Sequence, residues 1–492
     1  MLSILTSWVV LGSLCVQSSP PTDADLRKSV VNISVKQELR SPITPWKRDS
    51  PQGIGGSGVV IAPGRVLTNA HVVTESTEIL VETPETPLAV SAELLAIDLT
   101  RDLALLKIDD ADFIAKHAAV GLLEGLPKDG SKVTVMGYPM GGDALSTTSG
   151  VVSRIEWAGV GNHGENGMRI QVDAAVNHGN SGGPAFGEGK IVGLAFSGLD
   201  QSEADNISYL IATEEIRRFL DQAETGQVDG NTVTNVSVQT LENPALRAKL
   251  SAGSDVAGLV VIGQDGGPLM PWDILTKVNG YAVDNKGQIT IEGERKVSFD
   301  CAVGRFVGQG PSPAIPVSVI RYGKPLDVAL PAFTRATRTI KNPVDAVYPY
   351  LLYGPLVFSP LSMDLIGMVD GWMIGQQSPI TPFIEDDRPT DGREFVAVAS
   401  PLLSSPMARG YEAIPGQTVK CVNGKTFKDF AEFVGILRDL EDEFVVFEFN
   451  ERPCERIVFK RADVEAASEK VMESNGIRRQ CSKDVQSIWE GK

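Results

Sequence analysis

Between residues 53 and 212 the sequence is a succession of short β-branched runs separated by glycine and by Asp or Asn turns. Residues 58–61, 132–136 and 190–194 are examples of such runs. Many short strands at this spacing predict a sandwich or a barrel, because each strand must pair with neighbours and bury one face. This pattern predicts a mainly β fold for this part of the chain.

The first well-formed helix is predicted directly after this region, where it marks a domain boundary. Thr213 can cap the helix, acidic residues fill its first turn, and its apolar residues form one face. Gly226 lies just past the predicted end. Residues 20–52 lack clear periodicity and are predicted to be a linker or N-terminal arm, so the first domain is predicted to span 53–226.

The rest of the chain contains a diffuse repeat. A β-rich run ends in Asn279-Gly280 in the first copy and in Asn423-Gly424 in the second. Both residue types tolerate positive φ, so each pair predicts a hairpin. One large irregular domain is the alternative to two related α+β units. The predicted segments are 227–333 and 345–470 for the two units, and 471–492 for a C-terminal tail.

Composition narrows the possible partners and ligands. The chain has 492 residues, of which 42% are hydrophobic and 22% charged, which suits several buried cores rather than one. A formal net charge of −17 disfavours a nucleic-acid partner. None of the five cysteines lies between residues 71 and 181, so no disulfide is predicted there. The sequence has no CxxC pair and its four histidines are scattered, so a structural or catalytic zinc site has no sequence support.

The N-terminus carries an apolar run over residues 2–16. The run is short for a membrane span but suits a secretory signal peptide over residues 1–19. No Lys or Arg precedes it, which leaves an uncleaved anchor or a mispredicted start as alternatives. No later stretch is long and apolar enough to cross a bilayer. We therefore expect an exported protein, periplasmic or secreted, without a stable membrane span in the mature chain.

The most informative motif is the run Gly179-Asn180-Ser181-Gly182-Gly183. A serine hydroxyl is a poor nucleophile, so it needs a base within hydrogen-bonding reach and donors for the developing oxyanion. Flanking glycines allow backbone N–H groups to turn toward one point. The N–H groups of Gly179 and Ser181 are predicted to form that oxyanion hole. Alone, a glycine-rich turn with a serine is more often structural.

Two further segments supply the missing groups. His71 follows a strand-like run, and Asp102 stands about 30 residues later at the start of an apolar strand. Such an aspartate can accept the second imidazole N–H, which fixes the tautomer and stabilises the imidazolium. Ser181 follows about 80 residues further on, and the order His, Asp, Ser is that of chymotrypsin-type barrels. His71, Asp102 and Ser181 are therefore predicted to form a catalytic triad.

With these motifs the chain resembles the HtrA/Deg family of trypsin-like serine proteases, and most closely its plant-type members with two PDZ domains. The resemblance covers residues from about 50 to 480. It implies a chymotrypsin-like double β-barrel followed by two α+β PDZ-like domains. The matching segments outside the triad are Gly55-Gly56-Ser57-Gly58, Gly137-Tyr138-Pro139, Gly150-Val151-Val152-Ser153, Asp173-Ala174-Ala175, Asn206-Ile207-Ser208-Tyr209, 356–362 and Gly410-Tyr411-Glu412.

The family resemblance implies a serine endopeptidase that degrades unfolded or damaged proteins through an acyl-enzyme. It also implies a homotrimer or larger assembly, for which Trp46 is a candidate contact. The resemblance implies neither a metal nor a cofactor. Two other functions remain open. One is a chaperone-like holdase or PDZ scaffold with a latent protease domain, and the other is a hydrolase of small esters, which the PDZ-like units disfavour.

The primary specificity can be read in part from the position six residues before the nucleophile. Trypsin has an Asp there that binds Lys or Arg, whereas this chain has Ala175. An uncharged pocket floor predicts cleavage after small or medium aliphatic residues. Ala195, Phe196 and Ser197 are predicted to form the pocket wall.

Overall fold

The structure is a computed structural model of the chain. The predicted signal peptide, residues 1–19, lies outside the residues that the structure describes. The described residues are 21–86, 88–139, 144–159, 166–177, 179–196, 207–226, 228, 230, 232–234, 236–264, 267–291, 295–306, 314–334, 340, 348–369, 392–412, 415–450 and 456–491.

An antiparallel sheet, here the N-terminal sheet, forms the first part of the fold. Its strands and the helices among them are α1 (Asp23–Ser29), β1 (Val30–Gln37), β2 (Gln52–Ala62), β3 (Arg65–Thr68), α2 (Ala70–Val73), β4 (Ser76–Glu82), β5 (Val90–Ser91), β6 (Glu93–Asp98), β7 (Leu103–Lys107) and α3 (Ala111–Lys116). The strand order is β5-β4-β1-β2-β3-β7-β6. Alternate side chains of β1 and β4 face one apolar core with α2 and α3.

The N-terminal boundary differs from the sequence prediction, which treated residues 20–52 as a linker or arm. β1 lies inside the sheet, paired with β2 on one side and β4 on the other. Val31 and Ile33 are fully buried. Val31, Ile33 and Val35 alternate with polar residues, which is a strand signal in itself, but the surrounding Pro and Ser residues of 20–52 favoured an arm.

The second part is a closed six-stranded barrel, here the second barrel. Its elements are β8 (Lys132–Gly137), β9 (Ser146–Gly159), β10 (Asn166–Val172), β11 (Pro184–Gly187), β12 (Lys190–Phe196), β13 (Ser208–Ala212) and the following α4 (Thr213–Thr225). The circular order is β10-β13-β12-β11-β8-β9, so no strand edge is left open.

The predicted helix boundary is confirmed at its C-terminal end. Gly226 adopts a left-handed conformation with φ of 71° and ends α4. The predicted cap is wrong, since the helix is preceded by Ala212 as N-cap and Thr213 is its first helical residue. The Thr213 hydroxyl instead donates to the carbonyl of Gly125, at 3.0 Å.

A shared apolar core joins the N-terminal sheet, the second barrel and α4. Val59, Leu67 and Leu103 from the sheet contact the same cluster as Leu194 and Phe219 from the barrel and helix. All of them are completely buried. This core fixes the two parts against each other, so loops from both meet at one site.

The third part, here the middle unit, is a small α+β structure. It comprises β14 (Thr232–Val233), β15 (Val236–Thr240), α5 (Pro244–Lys249), β16 (Leu259–Gln264), β17 (Ile274–Val278), β18 (Tyr281–Ala282), β19 (Gln288–Ile291), β20 (Arg295–Ser298), α6 (Phe299–Phe306), β21 (Ala314–Arg321), β22 (Lys324–Pro331) and β23 (Phe333–Thr334). Asn279 and Gly280, with φ of 47° and 83°, join β17 to β18. The first predicted hairpin is thereby confirmed.

The last part, here the C-terminal unit, is also α+β. It comprises β24 (Leu351–Tyr353), β25 (Leu356–Pro360), α7 (Met363–Met368), β26 (Val396–Val398), a 3₁₀ turn at Pro406–Ala408, β27 (Val419–Val422), α8 (Phe430–Arg438), β28 (Phe444–Phe449), β29 (Arg456–Lys460), α9 (Arg461–Ser474) and α10 (Lys483–Trp489). Asn423 and Gly424 again have positive φ, and Val422 pairs with Lys425 across them. The second hairpin prediction is confirmed.

Residues 471–491 do not form the predicted tail. Cys481 pairs with Leu351 in a β-bridge, and Cys481 and Val485 lie in the core of the C-terminal unit. Sparse apolar residues among charged ones gave no periodic signal here, because their burial depends on β24 from far earlier in the chain. The Trp46 ring also contacts this unit, with its centroid 6.3 Å from that of Tyr350. Trp46 therefore packs partly within the chain, and its role as a trimer contact stays a prediction.

Candidate active site

His71 lies on α2, the short helix that follows β3. The neighbouring Val72 and Val73 are buried in the core of the N-terminal sheet, so the helix is anchored on one face. Gly56 on β2 allows close packing, since a Cβ there would lie 2.6 Å from Val72 Cγ1. The imidazole itself is 29% exposed. A rigid element thus presents a partly accessible histidine.

Asp102 stands immediately before β7, and its carboxylate contacts both the imidazole and the backbone of His71. Its Oδ2 lies 2.8 Å from His71 Nδ1, and its Oδ1 accepts the backbone N–H of His71 at 2.9 Å. The Asp102 carbonyl accepts from Asn69 Nδ2 at 2.8 Å. With Nδ1 facing a carboxylate, the neutral imidazole carries its proton there and leaves Nε2 as the acceptor.

The electrostatics of the pair favour a charged imidazole. Burial lowers the pKa of His71, but the charge of Asp102 and its hydrogen bond outweigh burial, so the net pKa of His71 is raised above its ordinary value. The Asp102 backbone has a φ of 59°, a left-handed conformation that aspartate tolerates better than most residues. The carboxylate therefore depends on its surroundings to stay in place.

Ser181 lies in the loop before β11 and is only 5% exposed. Ser57 on β2 holds this loop from the opposite sheet. The Ser57 N–H donates to the Ser181 carbonyl at 2.8 Å, and its hydroxyl donates to the Gly179 carbonyl at 2.8 Å. The backbone N–H of Tyr138 donates in turn to the Ser57 hydroxyl, at 2.7 Å. In the sequence, Ser57 stands out only as part of the segment Gly55-Gly56-Ser57-Gly58, which does not predict this role.

Gly182 brings the Ser181 loop against the segment that leads to His71. Its φ is 82°, and a Cβ there would lie 2.1 Å from the Ser57 carbonyl oxygen and 3.1 Å from the Asn69 nitrogen. Such an approach is open only to glycine. The residue after Ser181 thus contacts the residue two before His71. Helix α2, the turn before β7 and the loop before β11 thus bring histidine, aspartate and serine into one region.

Two N–H groups of the loop donate none of the backbone hydrogen bonds found among the described residues. Within the described residues, the loop bonds use the N–H groups of Asn180, Gly182 and Gly183, whose acceptors are the carbonyls of Asn177, Ala195 and Asn180. Those of Gly179 and Ser181 take no part in them. Gly179 has a φ of 97°, which L-residues with a side chain rarely adopt. Both groups remain candidates for an oxyanion hole.

The predicted pocket residues occupy different depths. Ala175 is exposed, and its carbonyl accepts from the Thr148 hydroxyl at 2.9 Å. Ala195 is completely buried and bonds through its N–H to the Gly183 carbonyl. Phe196 is 1% exposed, while Ser197 lies outside the described residues.

Across the part of the chain that the structure describes, no cluster of three or more His, Cys, Asp or Glu side chains could hold a metal ion. The same residues include no helix that is long and apolar enough to span a bilayer.

Comparisons with known proteins match two parts of the chain to known domain families. The profile of the trypsin-like peptidase domain family matches residues 56–194, and that of the PDZ domain matches residues 341–484. The fold and the site thus define a trypsin-like serine peptidase with a PDZ domain in its C-terminal unit. The chain belongs to the Do-like (HtrA/Deg) family of serine proteases.

Two curated relatives come from Arabidopsis thaliana. "Protease Do-like 2, chloroplastic" is 30% identical over 474 residues, which are 94% of this chain and 76% of that protein. "Protease Do-like 4, mitochondrial" is 32% identical over 345 residues, covering 69% of this chain and 65% of that protein. The solved structure "HtrA-type protease AlgW with tripeptide" is 25% identical, has a TM-score of 0.49, and covers 64% of this chain and 97% of that one.

Proposed function

We propose that this serine protease is an endopeptidase in which Ser181, His71 and Asp102 act as the catalytic triad. The observation that carries the proposal is the contact of 2.8 Å between His71 Nδ1 and Asp102 Oδ2. The loop that contains Ser181 packs closely against Asn69, two residues before His71. Casein digestion by the intact chain, compared with the Ser181→Ala variant, tests it.

The proposed reaction runs through an acyl-enzyme. His71 Nε2 takes the proton of the Ser181 hydroxyl as its oxygen attacks the peptide carbonyl. The N–H groups of Gly179 and Ser181 stabilise the oxyanion of the tetrahedral intermediate. His71 then protonates the leaving amine, and water releases the acyl group by the same route in reverse. Asp102 holds the imidazole in the required tautomer throughout.

The pH dependence of activity follows from the raised pKa of His71. Only the neutral imidazole can accept the serine proton, so kcat/KM rises as the pH passes through that pKa. Because the pKa is raised, we expect the midpoint of the acidic limb above the ordinary value of 6.5. Initial rates with a peptide substrate between about pH 5 and 9 measure it. A midpoint at or below the ordinary histidine value would contradict the Asp102 contact in solution.

We also propose that the primary specificity pocket is uncharged, with Ala175 at its floor and Ala195, Phe196 and Ser197 as its wall. The position of one buried arginine supports an uncharged pocket. The guanidinium of Arg169 is buried and lies over the Phe196 ring, 5.1 Å from its centroid. A lysine or arginine side chain in a pocket bounded by Phe196 would therefore approach a fixed positive charge.

Replacing Ala175 by Asp tests this pocket. We expect the wild type to cleave after small and medium aliphatic residues, and Ala175→Asp to add cleavage after Lys or Arg by roughly 10-fold or more, since an acidic floor can pair with a basic side chain. A peptide library read by mass spectrometry gives both profiles. Ala175→Asn is the matched control, with the same size and no charge. A wild-type profile dominated by Lys or Arg would refute the assignment.

The substrates that we propose are unfolded or damaged polypeptides, cleaved by a homotrimer or larger assembly. The middle unit is proposed as a first PDZ-like domain beside the PDZ domain of the C-terminal unit. A PDZ domain binds a peptide as an added strand at a sheet edge, which suits substrate presentation. Light scattering that found only a stable monomer would exclude the assembly.

For the cellular location we keep export as the proposal. The names of the Arabidopsis relatives place those proteins in chloroplasts and mitochondria. Organelle import is therefore the competing destination, and fractionation of cells that express the full chain separates the two.

A further inference from the structure

A buried ionic network lies directly beside Asp102. Its centre is Arg101, 3% exposed, whose Nη1 donates to Asp98 Oδ2 at 2.5 Å and whose Nε donates to Glu215 Oε2 at 3.2 Å. Asp98 and Glu215 are each 2% exposed. Burial alone would lower the pKa of Arg101, but the charges of Asp98 and Glu215 raise it, so the guanidinium stays charged. A buried arginine persists only with such partners.

The same guanidinium reaches the end of the protease part of the chain. Arg101 Nη1 donates to Gln222 Oε1 on α4 at 3.0 Å, and Nη2 donates to the Gly230 carbonyl at 2.9 Å. Gly230 is buried and lies between α4 and β14, on the connection into the middle unit. The planar fork of arginine can satisfy these four acceptors together, which the single ammonium group of lysine cannot.

The network also fixes the turn that precedes Asp102. Asp98 Oδ1 accepts from the Thr100 N–H at 2.9 Å, the Thr100 hydroxyl at 2.7 Å and the Arg101 N–H at 3.1 Å. Asp102 follows with its positive φ, and β7 begins one residue later. A left-handed aspartate keeps its conformation only where its neighbours determine it. The ionic network fixes the backbone before Asp102, and β7 fixes the backbone after it.

From this arrangement we infer that Arg101 is a positioning residue for Asp102, and that the connection at Gly230 contributes to this positioning. The chain that leads into the middle unit thus helps to hold the carboxylate that orients His71. The inference rests on the proposed catalytic role of Asp102. It needs no new chemistry, because Arg101 acts only on the geometry of the proposed triad.

The first test replaces Arg101 by lysine, which keeps the charge but loses the fork. We expect Arg101→Lys to lower kcat by about 10- to 100-fold with KM changed less than about 3-fold, because a small misplacement of a catalytic group affects turnover more than binding. In an Asp102→Asn background the same change is expected to cost less than about 2-fold, since the residue it positions is already disabled.

A merely structural Arg101 would behave differently. Its replacement would lower the melting temperature and the fraction of active enzyme equally in both backgrounds, with kcat per folded molecule unchanged. That outcome overturns the inference while leaving the triad intact. If Asp102→Asn alone left activity unchanged, the proposed function itself would fail, so the two failures are distinguishable.

The second test addresses the connection and compares two glycines in it. Gly226 and Gly230 have nearly the same φ, 71° and 74°, so alanine strains the backbone alike at both. A Cβ at Gly226 meets nothing within 4 Å, whereas one at Gly230 lies 2.8 Å from Thr100 Oγ1 and 2.9 Å from Thr100 Cγ2. Only Gly230→Ala pushes on the turn before Asp102.

We expect Gly230→Ala to lower kcat by about 10-fold and Gly226→Ala by less than about 2-fold. Adding Thr100→Ala to Gly230→Ala removes the clashing atoms and is expected to restore most of the loss, with Thr100→Ala alone as the reference for the double-mutant cycle. Equal effects of the two glycine variants, or no recovery in the double variant, would show that the connection has no part in positioning Asp102.

Discussion

Replacing Ser181 by alanine is expected to lower casein turnover by roughly 10⁴-fold or more. The hydroxyl is the attacking group in the proposed mechanism, and alanine leaves His71 with no proton to accept. Backbone packing should survive the change, because Ser57 and Gly182 hold this loop through main-chain contacts that alanine retains. Initial rates of casein digestion by purified wild type and variant measure the effect.

Ser149→Ala is a suitable control for that experiment. Ser149 is an exposed serine on β9 whose hydroxyl contacts that of Thr134, so this variant removes a serine hydroxyl from β9 and leaves the loop before β11 intact. Near-full activity of Ser181→Ala would reject Ser181 as the nucleophile. Aggregation assays on the same samples address the holdase alternative. Suppression of aggregation by both proteins, without casein cleavage by either, would favour the chaperone or scaffold function over the protease.

Replacing Asp102 by asparagine is expected to lower kcat by roughly 10⁴-fold while preserving the fold. Asparagine matches aspartate in shape and also tolerates the left-handed backbone conformation, so the loop can keep its φ of 59°. Its amide N–H, however, can face His71 Nδ1 and place the imidazole proton on Nε2. An imidazole in that tautomer cannot accept the proton of Ser181.

Asp109→Asn serves as the matched control for this prediction. Asp109 lies just past the other end of β7, where its side chain is 72% exposed and pairs with Lys107. The same chemical change there should alter kcat less than about 2-fold, since exposed ion pairs contribute little. Comparable losses from both variants would indicate a general effect of charge rather than orientation of His71.

The triad could be predicted from the sequence because three motifs agree in type and order, although the serine motif alone is more often structural. A serine among glycines, a histidine after a strand and an aspartate at a strand start predicted one site, and the structure places His71 and Asp102 in contact. The Asn-Gly pairs predicted hairpins correctly because positive φ is a local requirement. Such features depend on a few neighbouring residues.

Features that depend on partners far away in the sequence could not be predicted from local patterns. The prediction of an arm over 20–52 is wrong at β1, whose alternating apolar residues are a local signal but whose place inside the sheet depends on pairing with β2 and β4. The tail prediction failed because Cys481 and Val485 are buried by strands from the start of the C-terminal unit. The roles of Ser57 and Arg101 gave no local signal either, because each depends on a partner over 100 residues away, Gly179 for Ser57 and Glu215 for Arg101.

The sequence by itself determined the residue types that the proposed chemistry needs, their order, and the mainly β class that carries them. Only the tertiary structure decided which groups hold them in place. A hydroxyl on β2, a guanidinium beside the aspartate and a carbonyl at the exit from α4 gain their roles through contacts that exist only in the folded chain. Local conformational preference extends over a few residues, whereas burial and hydrogen bonding depend on the whole fold.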